Sequence, residues 1–195
     1  MPIRLPSGTR FFLLRHGRTD YNRRMVRCGG DIDIPLDEVG RQQADIAGCL
    51  LSNALEPINA ITSSCLLRTD ETARIVSAHF GHPPIHHDRR LDERHLGAWN
   101  GLSIAATEAW LKEKRTPPGG ESEAIFSARV LSWLNEHLLT PAPPELVVAS
   151  KGVGRVLLEA LTEEAGVSMP NGGLLLIEGS TSGNRVSPFP AELST

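Results

Sequence analysis

The sequence predicts an α/β fold in which helices cover both faces of one sheet. Three observations carry that expectation: short apolar runs alternate with segments of helical period, no long linker interrupts them, and the first apolar run opens straight into a loop of reactive residue types. With 195 residues, 40% of them hydrophobic and 22% charged, the chain is sized for one domain, 1–195, that buries a substantial core. No internal repeat is visible.

The elements follow in order. Phe11 to Leu14 is a short apolar run ending at Arg15-His16-Gly17, a buried strand running into a loop. From Glu38 to Leu51, behind Pro35-Leu36-Asp37, the apolar residues Val39, Ile46, Ala47, Leu50 and Leu51 recur at helical spacing. Ile58 to Thr62 reads as a second strand. Arg68 to Phe80 reads as a helix with Ala73, Val76 and Phe80 on one face, stopped by Gly81 and two prolines. A loop region then runs through Arg94 and Gly101. Helical pattern resumes over Ile104 to Lys114 and over Glu121 to Leu139, separated by Pro117-Pro118-Gly119-Gly120, which no continuous helix tolerates. Leu146 to Ala149 is a strand leading through Ser150-Lys151-Gly152 into a helix reaching Glu164. Leu174 to Ile177 is a late strand before a polar, glycine-bearing tail. In such folds the loops at the carboxyl ends of strands gather, so Arg15-His16-Gly17 and Ser150-Lys151-Gly152 are expected to meet.

Charge and cysteine content narrow the function. Twenty Lys plus Arg against twenty-three Asp plus Glu give a formal charge of −3, so no basic excess points to nucleic acid or an anionic membrane, and any anion site has to be local. Cys28, Cys49 and Cys65 show neither a disulfide framework nor zinc spacing, which suits a reducing compartment. The early apolar run is too short for a signal core or a spanning helix, and the reading is a cytoplasmic protein.

Arg15-His16-Gly17-Arg18-Thr19 puts a guanidinium beside an imidazole immediately after a strand. Arginine binds phosphate oxygens through paired hydrogen bonds, and neutral histidine can attack phosphorus. Taken alone, such a pair is more often a solvated loop than a catalytic centre. The other segments remove that ambiguity. Asn22, Arg27, Asp33 with Pro35-Leu36, Gly40, Gln43-Ala44, Ser63 to Arg68 with Thr72-Ala73, Leu91-Asp92-Glu93 with Gly97, Trp99 and Gly101, and Gly119 to Ser122 follow in fixed order. With Val147 to Gly152 and Pro170-Asn171-Gly172, they resemble the histidine phosphatase superfamily, the phosphoglycerate mutase-like family, over most of the chain.

The resemblance implies a three-layer α/β/α sandwich and a phosphohistidine formed at His16. Arg15 and Arg68 would hold the phosphoryl oxygens and offset charge gathering in the transition state. Asn22 and Arg27, one residue further apart than the usual spacing, would supply further oxygen contacts. Glu93 would protonate the leaving alkoxide and later activate water; outside the family frame it reads as a surface or ion-pair carboxylate among Asp92, Arg94 and His95. No cofactor or metal is implied. The implied partner is a small phosphorylated metabolite, with room for a homodimer and with neither nucleic acid nor membrane.

Two departures stand out. Ser150-Lys151-Gly152 replaces the family's Ser-His-Gly, so a hydrated, flexible point charge stands in place of a planar imidazole. Either Lys151 preserves phosphate binding and hydrolysis, or the chain is a catalytically impaired protein that binds a phosphometabolite; Lys151 turned to solvent against a carboxylate is the bland reading. Arg18 stands where many relatives carry Glu, and with Arg23, Arg24 and Arg27 it would either draw polyanions to the site or simply be solvated and paired. A phosphoglycerate mutase is the weaker enzyme alternative, because the longer insertion between the Glu93 and Gly119 regions is missing.

Other chemistries fit less well. Six positions beyond each cysteine stand Ile34, Leu55 and Glu71, where a cysteine phosphatase needs arginine. Asp31-Ile32-Asp33 follows two glycines instead of an apolar strand. His82, His86, His87, Asp88 and His95 show no regular metal-ligand pattern, Trp99, Trp110 and Trp133 read as packing residues, and Gly179 to Gly183 centres on Thr181 where a nucleophile elbow needs serine.

Overall fold

A computed structural model describes residues 2–54, 57–137, 144–162 and 169–190. In chain order the elements are β1 (Arg10–Arg15), α1 (Asp20–Arg23), α2 (Glu38–Ser52), β2 (Ala60–Ser63), α3 (Leu67–Ser77), β3 (Ile85–His87), α4 (Ile104–Lys112), α5 (Glu123–His137), β4 (Glu145–Ala149), α6 (Lys151–Leu161), β5 (Leu174–Ser180) and β6 (Gly183–Pro188). The six strands form one sheet in the order β3-β2-β4-β1-β5-β6. The first four are mutually parallel, and β5 and β6 are antiparallel additions. The α/β expectation therefore holds, with a mixed sheet.

Residue alternation along the central strands builds two cores. Phe11 and Leu13 of β1 share one face with Val147 and Ala149 of β4 and Leu175 and Ile177 of β5, and pack on Phe126, Val130, Trp133 and Leu134 of α5 and Val153 and Leu157 of α6. Phe12, Leu14, Leu146, Val148, Leu174 and Leu176 point the other way, onto Ala44, Ala47 and Leu51 of α2 and Ala73 and Val76 of α3. Because successive strand side chains alternate between faces, an unbroken apolar run such as Phe11 to Leu14 is what a strand covered on both sides requires.

Several boundaries differ from those expected. The loop region expected after Gly81 contains β3, and the polar tail contains β6. Both are edge strands with half-buried or exposed side chains, so neither shows apolar alternation; β6 exists because a tight turn folds it back on β5 from Ser180↔Gly183 to Leu175↔Pro188. The strand expected from Ile58 begins at Ala60. Helix α4 stops at Lys112, and Lys114 has a left-handed φ of 55°. The expected helix ends at Leu139 and Glu164 lie outside the described residues. The short α1 was not anticipated: Thr19 caps it and Asn22 returns the cap, and four residues are too few for a periodic signal. Among the described residues no helix is long and apolar enough to cross a membrane.

One contact fixes how α2 meets the loop after β1. A Cβ on Gly17 would fall 2.2 Å from the Gly40 carbonyl oxygen, and one on Gly40 would fall 2.1 Å from that of Arg18. Backbone crosses backbone here, with no side chain able to yield. Gly17→Ala should destabilise the protein by about 1–3 kcal/mol in denaturant unfolding, whereas Gly8→Ala serves as a reference with no neighbour within 4 Å but with a left-handed φ. Equal stability of wild type and Gly17→Ala would show that the two segments separate freely.

Candidate active site

Because β1, β4 and β2 run parallel, their carboxyl ends share one edge of the sheet. His16 continues β1 by donating its backbone N–H to the Ala149 carbonyl at 3.0 Å, so the first and fourth strands bring Arg15-His16 and Ser150-Lys151 side by side.

The His16 ring is buried, with 4% of the residue exposed. Its Nδ1 lies 2.7 Å from the Gly17 carbonyl oxygen. A carbonyl only accepts, so Nδ1 carries the proton of the neutral ring and Nε2 keeps its lone pair. Burial pushes the imidazole well below its ordinary pKa, the charges of Arg68 and Arg15 push the same way, and the Gly17 bond opposes them in part. A neutral imidazole with a fixed tautomer and a free Nε2 is a nucleophile in waiting.

Two guanidiniums stand near it. Arg68, on α3 and only 1% exposed, is pinned by Nη1 to the Ile32 carbonyl at 3.0 Å and by Nη2 to that of Gly29 at 3.2 Å. Arg15 is held by Nη1 to the Met169 carbonyl at 2.8 Å. Among the described residues neither is in an ion pair. Burial pulls the Arg15 guanidinium down, Glu93 opposes this, and Arg68 adds to it. Among the described residues, Arg15 Nε and Ser150 Oγ are buried without a hydrogen-bond partner. Two cations held by carbonyls and in no ion pair among the described residues, together with these polar atoms and with Glu93 only partly offsetting Arg15, make a place that favours an anion.

Glu93 sits at the amino end of α6. Its Oε2 accepts the Gly152 N–H and its Oε1 the Arg94 N–H, both at 2.8 Å. A helix amino end offers unpaired N–H groups to oxygen acceptors, and here the Gly152 N–H goes to Glu93 Oε2. A Cβ at Gly152 would fall 2.2 Å from Glu93 Oε1, so glycine leaves the carboxylate its place. Lys151, the first residue of α6, is exposed and in no ion pair among the described residues. It does act on Glu108, whose carboxyl is lowered chiefly by the Arg27 hydrogen bond and further by Lys112 and Lys151.

The remaining expected residues divide. Asn22 Oδ1 accepts from the Thr19 backbone and hydroxyl and from Asn171 Nδ2, the last at 3.2 Å, which ties Asn22 to the His16 loop. Arg27 faces α4: Nε donates to Thr107 Oγ1 at 2.8 Å and Nη2 to Glu108 at 2.8 Å and the Ile104 carbonyl at 3.2 Å. The other loop arginines are likewise paired, Arg18 with Asp37 and both Arg23 and Arg24 with Asp20. Of the arginines around the site, Arg15 and Arg68 are thus the ones in no ion pair among the described residues, and Lys151 adds an unpaired charge at the surface.

Supporting residues escaped the sequence reading. Asn171 donates to the His16 carbonyl at 3.1 Å, and Thr72 Oγ1 accepts the Gly17 N–H at 3.2 Å. Arg129 grips the carbonyls of Arg90, Asp92 and Glu93 while paired with Glu121, so α5 holds the Glu93 loop. Asn171, Thr72 and Glu121 lie in segments that carried the resemblance; Arg129 lies in an ordinary helical pattern with no signal of its own.

The family model for the histidine phosphatase superfamily (branch 1) matches residues 11–187. Glucosyl-3-phosphoglycerate phosphatase of Mycolicibacterium vanbaalenii is 35% identical over 136 residues, covering 65% of this chain and 59% of that protein, so the chain spans less than two thirds of it. The protein of the same name from Mycobacterium tuberculosis is 34% identical over 170 residues, covering 78% of this chain and 74% of its own length. A solved structure of mycobacterial glucosyl-3-phosphoglycerate phosphatase complexed with VO3 superposes with a TM-score of 0.73 at 30% identity, covering 93% of this chain and 97% of that one.

Proposed function

The chain belongs to the histidine phosphatase superfamily, and from that premise we propose that it hydrolyses phosphomonoesters of a small metabolite through a phosphohistidine at His16. The observation that carries the reading is the His16 ring, buried and acted on by two cations, with Nδ1 on the Gly17 carbonyl and Nε2 free of any such bond among the described residues. In the first step the Nε2 lone pair attacks phosphorus, the P–O bond to the metabolite breaks, and Glu93 gives the departing oxygen a proton. In the second, water attacks the phosphohistidine, the N–P bond breaks, and the proton from water goes to Glu93, restoring both groups. Arg15 and Arg68 oppose the charge on the phosphoryl oxygens in both transition states, a role that costs no reorganisation because their carbonyl partners already hold them. The unpaired Arg15 Nε and Ser150 Oγ support an oxygen-rich ligand at this place.

Gly152→Ala tests Glu93 without altering it. A methyl group 2.2 Å from Oε1 has to displace the carboxylate, so turnover should fall about 100-fold while far-UV circular dichroism stays unchanged. Undiminished turnover would remove Glu93 from the proton path.

A second reading, binding of a phosphometabolite with little turnover, is favoured by one observation: Lys151, at the place of the family's second histidine, is exposed and without an ion-pair partner among the described residues. A phosphomonoester panel that includes glucosyl-3-phosphoglycerate, run beside an assay for acid-labile protein-bound phosphate, separates the readings. Hydrolysis with labelled His16 supports the phosphatase. Tight binding with neither hydrolysis nor label, reversed by Lys151→His, supports the binding protein.

A further inference from the structure

Away from His16, Asp45 and Cys49 stand one helical turn apart on α2, with the ring of His79, in the short 3-10 turn 78–80 after α3, laid between them. His79 Nε2 is 2.8 Å from Asp45 Oδ1, and Nδ1 is 3.6 Å from Cys49 Sγ. The ring packs against Gly48, where a Cβ would fall 2.3 Å from Cδ2. Glycine inside a helix costs about 1 kcal/mol relative to alanine, and here it makes the seat that places an imidazole between a thiol and a carboxylate. One ligand atom from each of the three residues lies within 4.8 Å of the other two, the one such grouping of metal-ligating side chains among the described residues. The histidines singled out in the sequence do not do this; His87, for instance, is bonded to Asp70.

We propose that Asp45, Cys49 and His79 bind a divalent cation of the zinc type that clips α2 to the turn after α3. A sulfur and an imidazole nitrogen with a single carboxylate suit zinc and exclude magnesium and calcium, which take oxygen ligands. The 3.6 Å between Cys49 Sγ and His79 Nδ1 matches the edge of a zinc tetrahedron, about 3.5 Å for a sulfur and a nitrogen at their usual bond lengths. Asp45 and Cys49 face different ring nitrogens, so a cation on Nδ1 beside Cys49 takes Asp45 once that exposed side chain turns away from Nε2, and water takes the fourth position. Cys49 binds as thiolate and its proton leaves to solvent. Cys49 lies about 14 Å along the helix from the Gly17–Gly40 crossing, so the cation supports the fold and takes no part in the chemistry at His16.

The test titrates chelator-stripped full chain, reduced with a phosphine, with Zn²⁺ and with Co²⁺. The expected result is one cation per chain, Kd tighter than about 10 μM, a thiolate-to-cobalt charge-transfer band, and a rise in Tm on loading. Cys49→Ser should abolish the band and weaken binding at least about tenfold, and Gly48→Ala should weaken it by displacing the ring. Unchanged circular dichroism of metal-free Cys49→Ser shows that this variant is folded. Binding weaker than that limit, or binding and Tm rise undiminished in folded Cys49→Ser, would overturn the proposal.

Discussion

His16→Ala should lose turnover by roughly 10⁴-fold or more, together with all acid-labile protein-bound phosphate. The size follows from the proposed division of labour. Arg15 and Arg68 are held by the carbonyls of Met169, Ile32 and Gly29, none of which belongs to His16, so the anion site survives the substitution while its nucleophile does not. Phosphate binding should therefore persist in the variant. Retained turnover would show that water attacks the ester directly, and the phosphohistidine mechanism would fall.

The same residue gives a pH signature. Its folded pKa lies well below the ordinary value of 6.5, so the unfolded chain takes up this proton first as the solution is acidified. Stability from this source is intact above pH 6.5 and is lost as pH falls from there towards the folded value. Denaturation of His16→Gln should accordingly lose less stability than wild type over that acid window. Parallel curves would mean that the wild-type imidazole takes up its proton in the folded state as readily as in the unfolded chain.

Arg68→Met is the second large effect. It removes a fully buried cation that contacts two carbonyls and acts on His16 through space. Turnover should fall about 10²- to 10³-fold, the range for removing one preorganised transition-state donor. A merely structural Arg68 would leave the His16 titration alone. Because the Arg68 charge is one of the forces holding that imidazole down, the His16 ring signal in NMR should titrate at higher pH in Arg68→Met. A titration unmoved by the substitution would place the guanidinium elsewhere in solution.

Legibility in the sequence followed physical range. Strands buried on both faces, β1, β4 and β5, stood out because a run of successive residues in each had to be apolar, while the edge strands β3 and β6, paired on one side only, carried no such pattern. Helices α2 and α3 were readable from the stripe they lay on the sheet, whereas α1 rests on a local cap of four residues. In the site, Arg15, His16, Arg68 and Glu93 were readable because phosphoryl chemistry restricts residue type and the resemblance supplied their order. Arg129 was not: its task, gripping three carbonyls from Arg90 to Glu93, can be done by any long donor on the right face of α5.

The sequence by itself determined the family, the α/β layering and the set of reactive groups, because composition, period and ordered motifs are properties of neighbours along the chain. Only the tertiary structure decided which nitrogen of His16 is free, that Arg27 turns to Glu108, that Gly152 gives its N–H to Glu93, and that a thiol, an imidazole and a carboxylate meet over Gly48. Each of these depends on where a side chain points after segments remote in sequence have packed. A hydrogen bond or ion pair is decided over about 3 Å, a distance that packing sets and residue order leaves open.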